Sequence, residues 1–459
     1  MEASAAATPT FQIQSAVNVL SSFSARRRSP TFIPFPSPNP KPRHPLFHSR
    51  RCCCSTKPDV GSDTGNYAAS SASSSPLSNS NTHLEPSPDS HTPSSSHGLV
   101  FHVGPTPSWD CLDIGSPVVK RYLSDDQERW YLWYHGATNA VDSIGLAISS
   151  NGIHWERGSG PARSSSDMGQ VMQCSRDWWA FDTYSIRPSE VLIMSSSKVR
   201  AATAVYWLYY TGFSSEKVVQ LSDASLPLRF PIQNPEKSIP THAFFRSLPG
   251  LAISQDGRHW ARIEGEHHSG ALFDVGADGD WDSLFISSPQ VVYHTLGDLR
   301  MYYHSFDMEC QCFTIGIARS RDGIRWVKLG KIMGGGAVGS FDEAGVMNGH
   351  VVLKKDGGYV MAYEAVAADG QRSIGLVESP DGLKSWKRIH DGAVLLPLME
   401  EDGWDNKGVG SPCLVPMDGD DEWRLYYRGM CKEGRTGIGM AVSEGGGTWS
   451  FKRWAGFHL

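Results

Sequence analysis

Residues 280–291 read DWDSLFISSPQV, and residues 403–414 read GWDNKGVGSPCL, the same phrase in near paraphrase. Three more versions stand at 108–119 (SWDCLDIGSPVV), 180–192 (AFDTYSIRPSEVL) and 340–352 (SFDEAGVMNGHVV). After each comes a Tyr-rich alternating run: WYLWYHG, VYWLYYTG, LRMYYHS, YVMAYEA and WRLYYRG. A third segment follows each run, as in SIGLAISSNGIHW and TIGIARSRDGIRW, and ends at Trp155, Trp260, Trp326, Trp386 or Trp449. These tryptophans are 105, 66, 60 and 63 residues apart, so the period is near 60 with one long insertion in the second unit.

The pattern predicts strands. Aromatic and β-branched residues alternate with a period of two, which fits a pleated surface and not a helix. Asn151-Gly152, Asp256-Gly257, Asp322-Gly323 and Asp381-Gly382 are pairs that tolerate positive φ and close tight turns. No long stretch of helical period interrupts the units. About four short strands per unit, repeated radially, is the sequence form of a β-propeller. Five units predict five blades, an all-β fold over residues 99–459. In this reading the repeated phrase opens each blade. Its Asp (Asp110, Asp182, Asp282, Asp342, Asp405) and its aromatic residue tie one blade to the next, and the strand after it lines a central channel. An Asp repeated five times points to structure, because an active site on a ring is asymmetric.

Composition sets limits on function. The chain has 42 basic and 48 acidic residues, a formal net charge of -6, which argues against a nucleic-acid partner held by phosphate neutralisation. No stretch approaches the roughly 18 continuous apolar residues of a membrane span. From Met1 to Lys57 the only acidic residue is Glu2, among Arg26, Arg27, Arg28, Arg50, Arg51 and many Ser and Pro. Such a leader has the character of a plastid transit peptide, predicted over residues 1–53 and placing the protein in the chloroplast stroma. Residues 54–98, rich in Ser and Pro, have too little to bury and predict a disordered tether. Six cysteines lie beyond the leader, scattered through a large domain, and are expected mostly as buried thiols. Cys310-Gln-Cys312 is too short for zinc-knuckle spacing. GGGAVG at 334–339 matches a dinucleotide fingerprint on paper, but no helix follows it.

The WD…SP…YYxWYxG…IGLAxSxDGxxW repeat resembles the five-bladed propellers of the arabinanase, levansucrase and invertase type, glycoside hydrolase family 43 and its relatives, over residues of about 106 to 455. The resemblance implies a site in the channel mouth. A carboxylate just before the Pro of the first inner strand would serve as base or nucleophile, with a glutamic acid on a later blade protonating the leaving sugar. Such an oxocarbenium-like transition state needs one acid and one carboxylate. This chain departs from that pattern. The positions before the Pro, or its equivalent, are Ser116, Arg187, Ser288, Asn348 and Ser411, and none is acidic.

Other polar residues converge on the same place. At the end of the second strand the five units carry His135, Thr211, His304, Glu364 and Arg428. Arg187, Glu190, Gln290, Asn348 and His350 join them from the inner strands, giving a polar, charged channel suited to a polyol. Solvent exposure or mutual pairing explains the same residues without a ligand. For acid and base the candidates are Glu364, Asp113 and Asp307. Glu364 is a lone carboxylate in an apolar strand, where burial favours the protonated form, and Asp113 stands four residues before Pro117. Arg187 and Arg428 suit an anionic ligand such as a sugar phosphate. No cofactor is demanded and no metal-ligand spacing occurs; a channel cation near His350 is compatible with the residues but nothing calls for it. The insertion in the second unit is placed to act as a lid or a docking element. Three function classes follow: an enzyme acting on a small sugar or glycoside, a propeller that binds a carbohydrate, and a scaffold within a plastid protein complex.

Overall fold

The structure, a computed structural model, describes residues 97–456 apart from 124–127, 139–140, 159–167, 195–204, 222–241, 356, 420–421 and 446–448. The expected leader, nearly all of the expected tether and the middle of the insertion lie outside the described residues. Among the described residues every element is a strand. A first short strand, β1 (Leu99–His102), precedes four antiparallel strands, β2 (Asp113–Leu123), β3 (Glu128–Ala137), β4 (Asp142–Ser149) and β5 (Glu156–Arg157), and a stub, β6 (Gln170–Met172), pairs with β4. The same meander recurs as β7 (Ser185–Met194), β8 (Val205–Leu221), β9 (His242–Ser254) and β10 (Ala261–Ile263). It returns as β11 (Ser287–Thr295), β12 (Asp298–Asp307), β13 (Cys312–Ser320) and β14 (Trp326–Met333), then as β15 (Gly345–Leu353), β16 (Tyr359–Val366), β17 (Arg372–Ser379) and β18 (Lys387–Arg388). The last is β19 (Gly408–Pro416), β20 (Trp423–Met430), β21 (Thr436–Ser443) and β22 (Phe451–Arg453).

The first strand of each meander lies beside the first strand of the next, from β2 through β7, β11 and β15 to β19, and β19 returns to β2. That circuit makes the fold a β-propeller, and the expected count of five is compatible with it. β1 pairs antiparallel with β21, so the start of the domain completes the sheet at its end. The core is divided accordingly. Trp133, Leu146, Ile186 and Leu208 pack between the first and second units; Tyr209, Leu251, Met301 and Trp326 pack between the second and third. Trp130, Phe101, Tyr426 and Ile438 fill the wedge between the fifth and the first. Each wedge is hydrophobic on both sides, which is why alternating strands with two buried faces carry so many aromatics.

The turns hold neighbours together. In four units a Ser hydroxyl accepts from the N–H of the turn Gly, and the Asn or Asp carboxamide or carboxylate oxygen accepts from following N–H groups, as Ser320 and Asp322 do with Gly323, Ile324 and Arg325. The carbonyl of the turn Gly then accepts from the adjacent unit: Gly323 from Tyr209, Gly382 from Tyr302, Gly152 from Tyr426 and Gly257 from the Trp133 indole.

The repeated Asp has a different role from the one its position suggests. Asp110 accepts from the Tyr134 hydroxyl at 2.9 Å and from Arg157 at 2.8 Å, both in its own unit. Asp182 with Tyr210 and Arg262, Asp282 with Tyr303 and Lys328, Asp342 with Tyr363 and Arg388, and Asp405 with Tyr427 and Arg453 repeat the arrangement. The Asp therefore binds the second and fourth strands of one sheet to its entry loop, and it is the turns that tie sheet to sheet. Among the cysteines, Cys312, Cys413 and Cys431 are buried, Cys111 and Cys174 half-buried, and Cys310 exposed.

Candidate functional site

Each inner strand carries a bulge at the same point. Register slips between Gly115 and Val118, Pro188 and Glu190, Ser287 and Gln290, Met347 and His350, and Gly410 and Cys413. At four of these bulges a residue other than Gly takes a left-handed conformation: Ser116 (φ 46°), Ser288 (53°), Asn348 (49°) and Ser411 (46°). Such backbone costs of order 1–3 kcal/mol each, and it persists where surrounding structure holds it. Here it turns side chains that would follow the pleat into the channel.

The second strand supplies the facing ring. His135 pairs with Gly115, Thr211 with Arg187, His304 with Ser287, Glu364 with Met347 and Arg428 with Gly410. The register predicted from sequence thus brings inner-strand and second-strand residues together at the mouth. Between them lies a cavity of about 260 Å³, just under the usual range of small-molecule pockets, roughly 300–1,000 Å³. Ser116, His135, Arg187, His304, Asn348, Glu364 and Arg428 line it, and so do Asp142, Arg372 and Ser411. Phe213, Phe245, Phe285 and Phe313 give it an aromatic wall. Phe213 and Phe245 stand on the extended hairpin of β8 and β9 that carries the insertion.

A circle of polar contacts runs round the mouth and crosses every seam between units. Arg187 Nε donates to Asp142 Oδ2 at 2.6 Å, joining the second unit to the first. Ser288 N donates to Thr211 Oγ1 at 2.8 Å, and Ser288 Oγ to Asn348 Oδ1 at 2.6 Å. Ser411 N donates to Glu364 Oε2 at 2.9 Å, and Arg428 Nη2 to Asp113 Oδ1 at 2.7 Å. Residues that looked like ligand contacts are also mortar.

The carboxylates are well supplied with donors. Glu364 accepts from Asn348 Nδ2 (2.7 Å), Ser411 N and Arg372 Nη1 (2.9 Å), so it stands as an acceptor. Asp113 accepts from Arg428, from Thr436 Oγ1 (2.7 Å) and from the His135 ring (Nε2 at 3.2 Å). Burial by itself pushes the Asp113 carboxyl up, but Arg428 and His135 outweigh it and hold the group well below the usual carboxylate range. Asp142 is 2% exposed, and its Oδ1 is a buried oxygen with no hydrogen-bond partner among the described residues. Asp307 is not brought to the cavity. It sits at the end of β12, where Lys331 Nζ (3.1 Å) and Glu309 N (2.9 Å) hold it.

Burial also governs the imidazoles. It lowers the pKa of His135, with help from the Arg187 charge and against the pull of Asp113 and Asp142. His304 is pushed down to about 3 by burial and the nearby Arg372 charge, and its Nδ1 accepts from Asn348 N at 3.3 Å. Burial takes His350 down to about 4 against the attraction of Glu190.

Glu190, Gln290 and His350 belong to a second layer, below the mouth. Glu190 pairs with Lys120 and accepts from Gln290 Nε2 at 2.8 Å, and His350 Nε2 lies 3.6 Å from Cys413 Sγ. This belt draws one residue from each unit. Asp113, His135 and Asp142 bring three metal-capable atoms within 4.8 Å of one another. Arg428 and Arg187 already compensate both carboxylates, so a cation would meet two guanidinium groups beside its ligands. Sequence reasoning missed Asp142, Arg372 and Thr436. They begin third strands, and only ring closure brings Thr436 of the last unit against Asp113 of the first.

No family model matches the chain, and no curated protein matches it. Its likeness is to solved structures. A glycoside hydrolase aligns with 78% of this chain and 96% of its own at 15% identity and a TM-score of 0.51. A thermostable family-43 glycoside hydrolase covers 76% of this chain and 96% of its own at 16% identity and a TM-score of 0.50. An N-acetylgalactosamine deacetylase from F. plautii, solved with blood group B trisaccharide, covers 76% and 94% at 13% identity and a TM-score of 0.50. Likeness at this level concerns the fold alone, a β-propeller.

Proposed function

We propose that this is a plastid protein whose channel mouth takes a small carbohydrate or sugar-derived ligand, sugar phosphates included. The observation that carries this reading is the mouth itself: one cavity, lined from all five units, with polar contacts at every seam between units and four phenylalanines in the same lining. A sugar offers the matching surfaces, hydroxyl groups for the circle and C–H faces for the rings. Arg187, with 39% of its side chain exposed, is the cation best placed to meet an anionic substituent.

Recognition is better supported than cleavage of a glycosidic bond. Cleavage needs a carboxylic acid that donates a proton and a second carboxylate to act as base or nucleophile. Asp113, Asp142 and Glu364 each hold a guanidinium instead. A calorimetric screen of the full chain against monosaccharides, disaccharides and sugar phosphates tests the reading. Saturable binding that E364Q weakens at least tenfold is expected, and absence of any carbohydrate ligand would overturn it. A fluorescent fusion of residues 1–98 tests the plastid address; fluorescence outside plastids removes it.

Exposed apolar side chains favour a second reading, a scaffold in a protein complex. Trp178 is 91% exposed and Met399 94%, apolar side chains that a partner's surface would cover. A partner that stays bound through gel filtration and is lost with W178A would favour the scaffold.

A further inference from the structure

One arrangement at the mouth is used by neither reading. Ser116 Oγ lies 3.0 Å from His135 Nδ1, and the other ring nitrogen, Nε2, lies 3.2 Å from Asp113 Oδ2. Asp113 is in turn fixed through Oδ1 by Arg428 and Thr436. A hydroxyl, an imidazole within hydrogen-bond reach of it and a carboxylate orienting that imidazole are the parts of an activated nucleophile.

The fold does not require this combination. Ser288 and Ser411 occupy the same bulge with the same left-handed backbone. Ser288 gives its hydroxyl to Asn348, and Ser411 lies 3.5 Å from Asn348 Nδ2, neither of them meeting an imidazole in this way. Behind Ser288 stands His304, but its Nδ1 accepts from the Asn348 amide. The residue three places before the bulge is Asp113 in the first unit and Tyr184, Phe285, Gly345 and Gly408 in the others. Serine, imidazole and carboxylate coincide once in the ring.

The electrostatics suit proton transfer. An ionised Asp113 accepts from Nε2–H, which leaves the Nδ1 lone pair facing the serine hydroxyl. When the ring takes the proton, Asp113 and Asp142 flank the resulting cation, one carboxylate oxygen of each lying within 4.8 Å of a ring nitrogen. Arg187 lines the same cavity and can meet an oxyanion, and Phe213, Phe245, Phe285 and Phe313 in the same lining offer apolar surface to an acyl chain.

We propose that Ser116 is the nucleophile of an ester-hydrolysing site, with His135 as base, Asp113 as the residue that positions it, and esters of short carboxylic acids as substrates. Ser116 Oγ bonds to the acyl carbon while its proton passes to His135 Nδ1. The ester C–O bond breaks, and the departing alcohol takes that proton. Water then attacks the acyl-serine, giving a proton to His135, which returns it to Ser116 Oγ as the carboxylic acid leaves. Ester and water become alcohol and acid, with no redox partner.

The proposal shares the cavity with the sugar reading but does not rest on it, and the test keeps them apart. The full-length protein is treated with diisopropyl fluorophosphate and followed by intact-mass and peptide mass spectrometry. One equivalent of adduct, mapped to Ser116 and absent in S116A, is expected. H135N should slow labelling and p-nitrophenyl acetate hydrolysis about 100-fold or more. Thermal melting of S116A, which removes one oxygen, shows that it folds. An unlabelled wild-type protein, an adduct on another residue, or an adduct that survives S116A would overturn the assignment, whatever the carbohydrate screen returns.

Discussion

His135, His304 and His350 are buried within one channel, two lining the mouth and the third in the belt below it. All three have pKa values lowered by burial, to about 3 for His304 and about 4 for His350. The native state therefore holds them neutral, while the unfolded chain takes up protons near the ordinary value of 6.5. Their contribution is fully present above that value and is lost as pH falls from 6.5 toward the native values. Stability should drop by roughly 1.4 kcal/mol per pH unit for each of His304 and His350 in that window, with His135 adding in the same direction. Urea unfolding at pH 7, 6 and 5 measures this, and a flat profile contradicts the burial of neutral rings. Asp113 adds to the loss only at still lower pH, because its folded value is depressed as well.

At the scale of elements, the turn and the bulge do separate jobs. Gly323 has φ 79°, and a Cβ there would meet Trp207 Cζ3 at 2.6 Å and the Tyr209 hydroxyl at 2.7 Å, both in the neighbouring unit. Gly323→Ala should cost about 2–3 kcal/mol, from left-handed strain together with a crowded seam. The denaturant midpoint reads that loss, and an unchanged midpoint would mean that the turn does not dock on Tyr209. The bulges, by contrast, spend strain at the mouth, where their side chains are wanted. Their Pro and Ser spellings were visible in the chain. The left-handed backbone was not, because a Ser-Pro pair is equally at home in an extended edge.

Over the whole molecule, closure is the weak point of a ring built from sequential sheets. β1 supplies it, pairing with β21 through Leu99, Phe101 and His102, with Phe101 3% exposed in the wedge between the last unit and the first. His102 O also accepts from Arg157 Nη2, and His97 O from the Trp404 indole. A chain beginning at Gly104 should melt at least 10 °C lower than the full chain and self-associate, because the part of β21 from Gly437 to Gly439 is left unpaired. Calorimetry and gel filtration measure both, and a monomer of undiminished melting temperature would show that the fifth sheet closes without β1.

Sequence by itself determined the all-β repeat, the strands and the facing positions of His135, Thr211, His304, Glu364 and Arg428, because strand period and hairpin turns are local properties read within about thirty residues. It also marked the channel mouth as polar. Only the tertiary structure decided which of those groups pair, since Asp142 with Arg187, Glu364 with Ser411 and Asp113 with Arg428 and Thr436 meet across seams, the last over more than 300 positions. Contacts within single units assigned the repeated Asp to its own sheet and set Ser116, His135 and Asp113 in line. Distance along the chain carries no information about the meetings between the last unit and the first; the closing of the ring creates them.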